Sequence, residues 1–324
     1  MKHLTILVPQ GEGNNLTSIV GTHKIFTRAN EYWKAAGKKP PFRIQLAGTS
    51  KKVDYAGGLF TAKPEVLISA IRKTDLIVIP SLNHHFEAGV RKNKAMIEWI
   101  SDQYRRGAEV ASICTGAFLL ASSGLLNGKS CSTHWSAADI FKTQFPEVNV
   151  RMDKLITDEH GIYTNGGAFS FLNLVIYLIE KFYDRATAIY CSKVFQIEMD
   201  RQSQLSFIIF KGQKQHADDI VRKAQEYIEK NAGEKISITA LSSRLAVGRR
   251  NFDRRFIKAT GDTPLEYSQR VRIESAKRAF EHGSKTVNEV MYEVGYSDAK
   301  AFREVFHRIT GLLPLEYRSR YQRN

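Results

Sequence analysis

The sequence predicts an α/β domain with a mostly parallel sheet flanked by helices, followed by an all-α domain with two helix-turn-helix units. Two observations carry this. In the first two-thirds, short apolar runs rich in β-branched residues alternate with amphipathic helical stretches, the pattern of a sheet covered by helices. Near the end, a segment is written twice. Phe252 to Arg270 and Phe302 to Arg320 align at a constant offset of 50. At that offset the pairs Phe252/Phe302, Phe256/Phe306, Thr260/Thr310, Gly261/Gly311, Pro264/Pro314, Leu265/Leu315, Glu266/Glu316, Tyr267/Tyr317 and Arg270/Arg320 are identical. A fixed period means one supersecondary unit built twice.

The strands come first. LTILVP (Leu4 to Pro9), FRIQLAG (Phe42 to Gly48), DLIVIPSL (Asp75 to Leu82) and AEVASI (Ala108 to Ile113) suit strands buried on both faces. Helical patterns lie between and after them at Ser18 to Ala36, Lys94 to Arg105 and Ala168 to Phe182. Ligands in such folds sit beyond the carboxyl ends of the strands.

At one of those ends, AEVASI runs into Cys114-Thr115-Gly116 and then into a helix. This is the layout of a nucleophile elbow with cysteine in place of serine, although the first glycine of that pattern is missing. A thiol at a helix N-terminus is expected to have a lowered pKa. Twenty residues on, within Ser132-Thr133-His134-Trp135, His134 offers an imidazole to act as base. Read the other way, Cys114 is a small buried hydrophobe. Cys131 and Cys191 read as packing residues. His84-His85 has no further ligands at metal spacing and reads as a surface or pocket rim, so no metal or cofactor is expected.

Asp200 to His216 is polar and Gln-rich around Phe207-Ile208-Ile209-Phe210, which reads as a short docked segment. The expected organisation is a sensor domain over 1–199, a linker over 200–217 and a DNA-binding domain over 218–324.

In the second copy of the repeat, Val287, Val290 and Val294 mark one face of a short helix. Gly295 ends it, Ser297-Asp298 caps the next, and Phe302, Phe306 and Ile309 form that helix's buried face. Gly311 stops it and Pro314 starts another. In the first copy Ile238, Leu241 and Leu245 form the first stripe, Gly248 lies in the turn, and Phe252 and Phe256 anchor the second helix. The turn is one residue shorter there. Leu265 to Phe280, without internal Gly or Pro, reads as a rigid linker helix.

If the Phe faces are buried, the opposite faces present Arg249, Arg250, Asn251 and Arg254 in the first copy. In the second they present Ser297, Lys300, Arg303 and His307. Arg and Lys donate to guanine, Asn pairs with adenine, and neighbouring cations hold phosphates. Two such helices on one rod would enter successive major grooves about 34 Å apart. The net charge of +15 fits an anionic partner. Only +6 of it lies in 218–324, however, so bulk charge is weaker support than local charge. Within Arg244 to Arg278, 10 basic residues face 4 acidic ones, which favours the first copy as the stronger phosphate binder. The apolar run at the N-terminus is too short for a secretory segment or a membrane span, and no later stretch reaches ~18 uninterrupted apolar residues. Three cysteines without paired spacing fit a reducing setting, so a soluble, cytoplasmic protein is expected.

The pattern V-x-x-V-x-x-x-V-G-Y-S-D-x-x-x-F-x-x-x-F-x-x-x-T-G-x-x-P-x-x-Y-R, from Val287 to Arg318, resembles the DNA-binding domain of AraC/XylS-family transcription regulators. The resemblance covers roughly the last 105 residues. It implies two helix-turn-helix subdomains bridged by a helix, acting on double-stranded promoter DNA as a homodimer, with RNA polymerase as a further partner. Lys300 departs from the small hydroxyl residue often found there, so base preference at that position is not carried over.

The run S-I-C-T-G-A-F-L-L-A-x-x-G-L-L-N-G-K and the later T-H-W are similar to the PfpI branch of the class I glutamine amidotransferase-like superfamily. The nearest subset is the GlxA-type regulators, which fuse such a domain to an AraC-type one. The likeness extends over about residues 3–200, including Phe26 to Asn30 and T-N-G-G at Thr164 to Gly167. It implies a flavodoxin-like, amidotransferase-like α/β fold with a small-molecule effector near Cys114, Thr115, His134 and Trp135. In catalytic relatives an acid from the first helix region joins the cysteine. Here that position aligns with Ser18, while Glu12 sits in the preceding loop. The expectation is therefore a regulator that binds and does not cleave. The alternative is a cysteine-dependent amidase or hydrolase using Cys114 and His134.

Overall fold

Strings of aliphatic residues without interior charge form the centre of a seven-stranded sheet. In the computed structural model, which describes residues 1–11, 15–82 and 86–322, the chain divides into two units, Met1–Gln204 and Leu205–Asn324. The first unit contains β1 (Lys2–Val8), α1 (Leu16–Ala35), β2 (Phe42–Gly48), β3 (Val53–Tyr55), β4 (Phe60–Ala62), β5 (Val66–Leu67) and β6 (Leu76–Ile79). There follow α2 (Phe86–Lys92), α3 (Lys94–Arg105), β7 (Glu109–Ile113), α4 (Ala117–Ser122), β8 (Ser130–Cys131) and α5 (Ala138–Gln144). The unit continues with β9 (Asn149–Val150), β10 (Ile156–Glu159), β11 (Ile162–Asn165), α6 (Phe171–Phe182) and α7 (Arg185–Phe195).

The sheet order is β10-β11-β7-β6-β1-β2-β5, parallel throughout except for β10 against β11. Successive residues of β1 enter opposite apolar layers. Leu4, Ile6 and Val8 join a cluster with Phe26, Leu174 and Ile179, whereas Leu7 joins one with Ile100, Phe118 and Phe141. Both faces of the central strands are thus covered, as the uninterrupted apolar runs require. On one side α1 holds α7 by a Trp33 Nε1 donation to Thr187 Oγ1 (2.7 Å) and by stacking of Tyr32 on Tyr190 (4.2 Å).

All four expected strands form, and α3 has the expected bounds. The third expected helix starts later than Ala168, at Phe171, because Gly167 at φ 90° and the Ser170 hydroxyl bonds hold the preceding residues in a turn. Strand β11 has no apolar run to announce it. Its Thr164 and Asn165 are buried by hydrogen bonding, and it lies beside β7 in parallel register. Glu12 and His84-His85 lie outside the described residues. Among the described residues no helix is long and apolar enough to cross a membrane, and no cluster of metal-ligating side chains occurs.

The second unit is helical: α8 (Asp219–Lys230), α9 (Ile238–Arg244), α10 (Arg249–Thr260), α11 (Pro264–His282), α12 (Val287–Glu293), α13 (Ala299–Thr310) and α14 (Pro314–Tyr321). The pairs α9/α10 and α12/α13 are the two helix-turn-helix units. The second turn uses Gly295 at φ 79°, as expected. In the first, the left-handed residue is Ala246 at φ 53°, while Gly248 is an extended N-cap. Gly248 thus lies in the turn, as expected, without being its left-handed residue.

Several of the identical residues of the repeat hold each copy shut. Phe256 packs edge-on against Tyr267 (5.3 Å) and Phe306 against Tyr317 (5.5 Å). Thr260 and Thr310 each donate a hydroxyl to the carbonyl four residues back at 2.8 Å, and Gly261 and Gly311 take left-handed caps. Helix α11 is the expected linker. A Thr263/Glu266 capping box opens it, and its 19 residues span about 28 Å at 1.5 Å each. Tyr267 and Val271 enter the first core, and Ile273, Ala276 and Phe280 the second.

Along α11 lies a buried ion pair. Lys277 Nζ is 2.7 Å from Glu274 Oε2 and donates also to the Ile208 carbonyl, while Glu274 Oε2 accepts the Phe210 amide at 3.1 Å. Removing one partner of a buried pair leaves an uncompensated charge. Glu274→Ala is therefore expected to lower stability by about 3–5 kcal/mol, read from the urea midpoint of the full chain. A loss below about 1 kcal/mol would show the Lys277 ammonium to be solvated.

Candidate nucleic-acid interface and effector site

On the outer faces of α10 and α13 the expected DNA-facing residues Arg249, Arg250, Asn251, Arg254, Ser297, Lys300, Arg303 and His307 are all exposed. Their neighbours divide them. Arg249 Nε is 2.9 Å from both carboxylate oxygens of Asp253 and its Nη1 donates to Thr239, so it is tied to its own unit. Arg254 donates to Asn251 Oδ1 at 3.1 Å, which fixes the amide and leaves its NH2 as the outward donor. Arg250, Lys300 and Arg303 make no hydrogen bond or ion pair among the described residues and extend into solvent. Arg255, one residue further round α10, is bidentate to Asp218 at 2.8 and 2.9 Å and joins α10 to α8.

At the repeat offset of 50 the exposed positions are chemically different. Arg250 pairs with Lys300, Asn251 with Ala301, Asp253 with Arg303, Arg254 with Glu304 and Ile257 with His307. Within α10 and α13 the buried positions repeat while the exposed ones diverge. The two units are equivalent scaffolds with unlike reading faces.

In the first unit, Cys114 follows β7 with φ 54° and is buried. A left-handed non-glycine residue stores strain of about 1–3 kcal/mol and persists only where surroundings impose it. They do so here. The Cys114 amide donates to Asn165 Oδ1 (3.1 Å), its carbonyl accepts the Thr133 hydroxyl (3.1 Å), and a Cβ at Gly116 would lie 2.5 Å from the Pro80 carbonyl oxygen. The expected elbow geometry is present.

The expected thiolate is not. Burial pushes the Cys114 thiol up from its ordinary pKa, and hydrogen bonds from Ser81, from Thr115 and from the Thr115 and Gly167 amides only partly offset it. The lowered pKa expected from the helix start is thus corrected.

His134 and Trp135 are half-buried at the start of a 3-10 turn, with ring centroids 5.5 Å apart. His134 Nδ1 accepts the Ser136 amide at 3.2 Å. From the same motif, Thr133 bonds the elbow directly through its hydroxyl.

Thr115 is buried, with its hydroxyl bonded to the Leu82 carbonyl and 2.9 Å from Ser81 Oγ. Ser81 in turn donates its amide to Ser18 Oγ at 3.2 Å. Ser18 therefore stands behind the thiol, in the second layer, with a hydroxyl and no carboxylate. Sequence reasoning passed over Ser81, Asn165 and Gln204. The T-N-G-G run was a usable signal for Asn165, while nothing local marked Gln204.

The model of the DJ-1/PfpI family matches residues 5–179, more than half of the chain, and that of a helix-turn-helix domain matches 241–320. The chain belongs to the DJ-1/PfpI family. Its second unit carries an AraC-type helix-turn-helix domain. Among relatives, the HTH-type transcriptional regulator GbdR of Pseudomonas aeruginosa is 25% identical over 231 residues, 68% of this chain and 60% of that protein. The match thus spans about three-fifths of GbdR's length. The HTH-type transcriptional regulator GlxA of Rhizobium meliloti is 26% identical over 221 residues, 67% of each chain. Among solved structures, an AraC family transcriptional regulator from Pseudomonas putida superposes with a TM-score of 0.51 at 14% identity, covering 60% of this chain and all of that one. A THiJ/PfpI family protein from Pseudomonas syringae gives 0.51 at 18%, over 76% and 90%. These likenesses show the DJ-1/PfpI fold of the first unit.

The DJ-1/PfpI elbow generates a direct expectation. With its thiol protonated and buried, Cys114 should react with iodoacetamide at pH 7 at least about tenfold more slowly in the native chain than in urea. The native rate should climb only as pH rises beyond the ordinary thiol value of 9.0. Peptide mass mapping over time reads the rate at this site, and equal rates at pH 7 would restore the thiolate.

Proposed function

We propose that this DJ-1/PfpI-family chain is a transcription regulator. Its paired helix-turn-helix units read promoter DNA, and a small metabolite bound beside Cys114, Thr115, His134 and Trp135 alters that reading. The observation that carries it is the contrast within α10 and α13, where the buried Phe252/Phe302, Phe256/Phe306 and Thr260/Thr310 are duplicated and the exposed positions are not. A purely architectural module has no need of unlike outward faces. Free cationic side chains at Arg250, Lys300 and Arg303 are suited to guanine edges or phosphates, and the Asn251 amide to adenine. The reading includes a homodimer in the cytoplasm that meets RNA polymerase at the promoter.

Ligand control requires that the metabolite bind two states of the protein unequally. The buried hydroxyls, amides and thiol around Cys114 offer polar partners for a small polar molecule. Ser18 in the layer behind and a raised thiol pKa favour binding over cleavage. The strained elbow at Cys114 favours the second reading, an amidase or hydrolase. Turnover of small amides by the full chain that vanishes in Cys114→Ala would establish that second reading; no turnover in either protein supports the sensor.

Selection of duplexes from a random pool by the full chain, at physiological salt, tests DNA reading directly. Enrichment of no sequence would overturn it. On the enriched duplex, Arg250→Ala should weaken binding by about 1–3 kcal/mol and relax preference at one position. An equal loss on scrambled DNA would assign Arg250 to a phosphate. Lys300→Ala and Arg303→Ala should alter the footprint in one half of the site only, and changes in both halves would contradict two independent readers.

A further inference from the structure

Between Arg201 and Leu205 every residue is half-exposed or exposed except one. Gln204 is 1% exposed, although it is polar and ends the first unit. Its carboxamide NH2 donates to the Thr133 carbonyl at 3.0 Å and to Ser132 Oγ at 3.3 Å. Its Oε1 has no partner. Opposite those donations the side chain presses on Gly166, where an added Cβ would overlap the carboxamide. Nearby, the Gln202 carbonyl accepts the Leu155 amide at 2.8 Å, and the Leu155 carbonyl accepts the Gly166 amide at 2.9 Å.

Both walls of this seat connect to the elbow. Thr133 donates its hydroxyl to the Cys114 carbonyl. On the other side the Cys114 amide donates to Asn165, whose Nδ2 donates to the Gly166 carbonyl at 3.1 Å. The amide of the next residue, Gly167, faces the Cys114 thiol. A molecule engaging the elbow therefore acts on the two groups that hold Gln204.

The residues that follow Gln204 are anchored differently, within the second unit. The Ser206 carbonyl accepts the Tyr321 hydroxyl at 3.4 Å, and Arg320 lies over the Phe207 ring at 5.5 Å. Ile208 and Phe210 bond the Lys277–Glu274 pair of α11. Phe210 packs edge-on against Tyr267 (5.2 Å) under the Arg270 guanidinium (4.2 Å). The arm 205–210 therefore touches α14 of the second repeat, the central helix and the core of the first repeat. No slack residue separates it from Gln204.

We infer that Gln204 is a latch: its carboxamide occupies a seat in the wall of the elbow, and expelling it frees the arm that braces the two DNA-reading repeats. An acceptor buried without a partner makes the seat easier to vacate than a fully bonded one would be. Occupancy of the elbow is thereby converted into a change in the arm. This rests on the regulator reading only for its consequence at DNA; the seat and the arm stand without it.

Two variants empty the seat from opposite sides. Gln204→Ala removes the plug, and Gly166→Ala fills its place while leaving Gln204 intact. In each, hydrogen exchange of the 202–210 amides in the full chain should accelerate about tenfold or more. Affinity for the duplex enriched by the wild type should shift about fivefold or more, in the same direction for both. The double variant should add nothing to either single one. Unchanged exchange in both variants would overturn the latch. Faster exchange with unaltered affinity, or shifts of opposite sign, would overturn its coupling to DNA. Should the wild type enrich no duplex, the regulator reading fails by itself, and the exchange measurement still decides the latch.

Discussion

The sharing of α11 between two cores is the constraint on which the second unit rests. Tyr267 and Val271 near its start pack with Phe252 and Phe256, while Ile273, Ala276 and Phe280 pack with Phe302 and Phe306. Because one rigid helix supplies both sets, neither repeat can rotate without unpacking a row of aromatic residues. Close-packed interiors resist such motion until they switch between discrete arrangements. The buried Lys277–Glu274 pair adds a directional element, since it specifies where the backbone of Ile208 and Phe210 must lie. Polar groups inside a helical bundle are costly to mispair, and so they define position more sharply than apolar contacts do.

The elbow of the first unit shows how one backbone geometry serves different chemistry. A left-handed residue between strand and helix thrusts its side chain to the carboxyl end of the sheet, which suits a nucleophile. The surroundings then decide its state. Around Cys114 the partners among the described residues are hydroxyls and amides, with Ser18 in the layer behind. Desolvation dominates, so the sulfur stays protonated. The strained geometry and the bonded groups around it fit a pocket that serves through its shape and its hydrogen-bonding walls.

Much of this was legible before any coordinates. Apolar runs at β1, β2, β6 and β7 announce themselves because a strand buried on both faces tolerates no polar interruption. The repeat was legible for a related reason, as its identical residues are the ones whose burial or capping chemistry allows few substitutes. Gly261 and Gly311 need left-handed backbone, and Thr260 and Thr310 need a hydroxyl at the helix end. Less was visible where polar residues are buried by one another. Strand β11 reads as a loop because Thr164 and Asn165 earn their burial through partners far along the chain. Gln204 reads as part of a solvated linker for the same reason. The left-handed residue of the first turn is an alanine, Ala246, which its residue type does not announce, whereas Gly295 announces its counterpart in the second.

Taken alone, the amino-acid order determined the two-domain class, the duplicated helical module, the position of the elbow and the residues on the outer faces of α10 and α13. Those are local properties, set by periodicity, capping and side-chain type within a turn or two. Only the tertiary structure decided which cations are free and which are tied to a neighbour, that Cys114 is a protonated thiol, that Thr133 bonds the elbow, and that Gln204 is buried beside it. Each of these depends on desolvation and on hydrogen bonds between residues far apart in the chain, and the strength of both is set by three-dimensional surroundings that no short stretch of sequence contains.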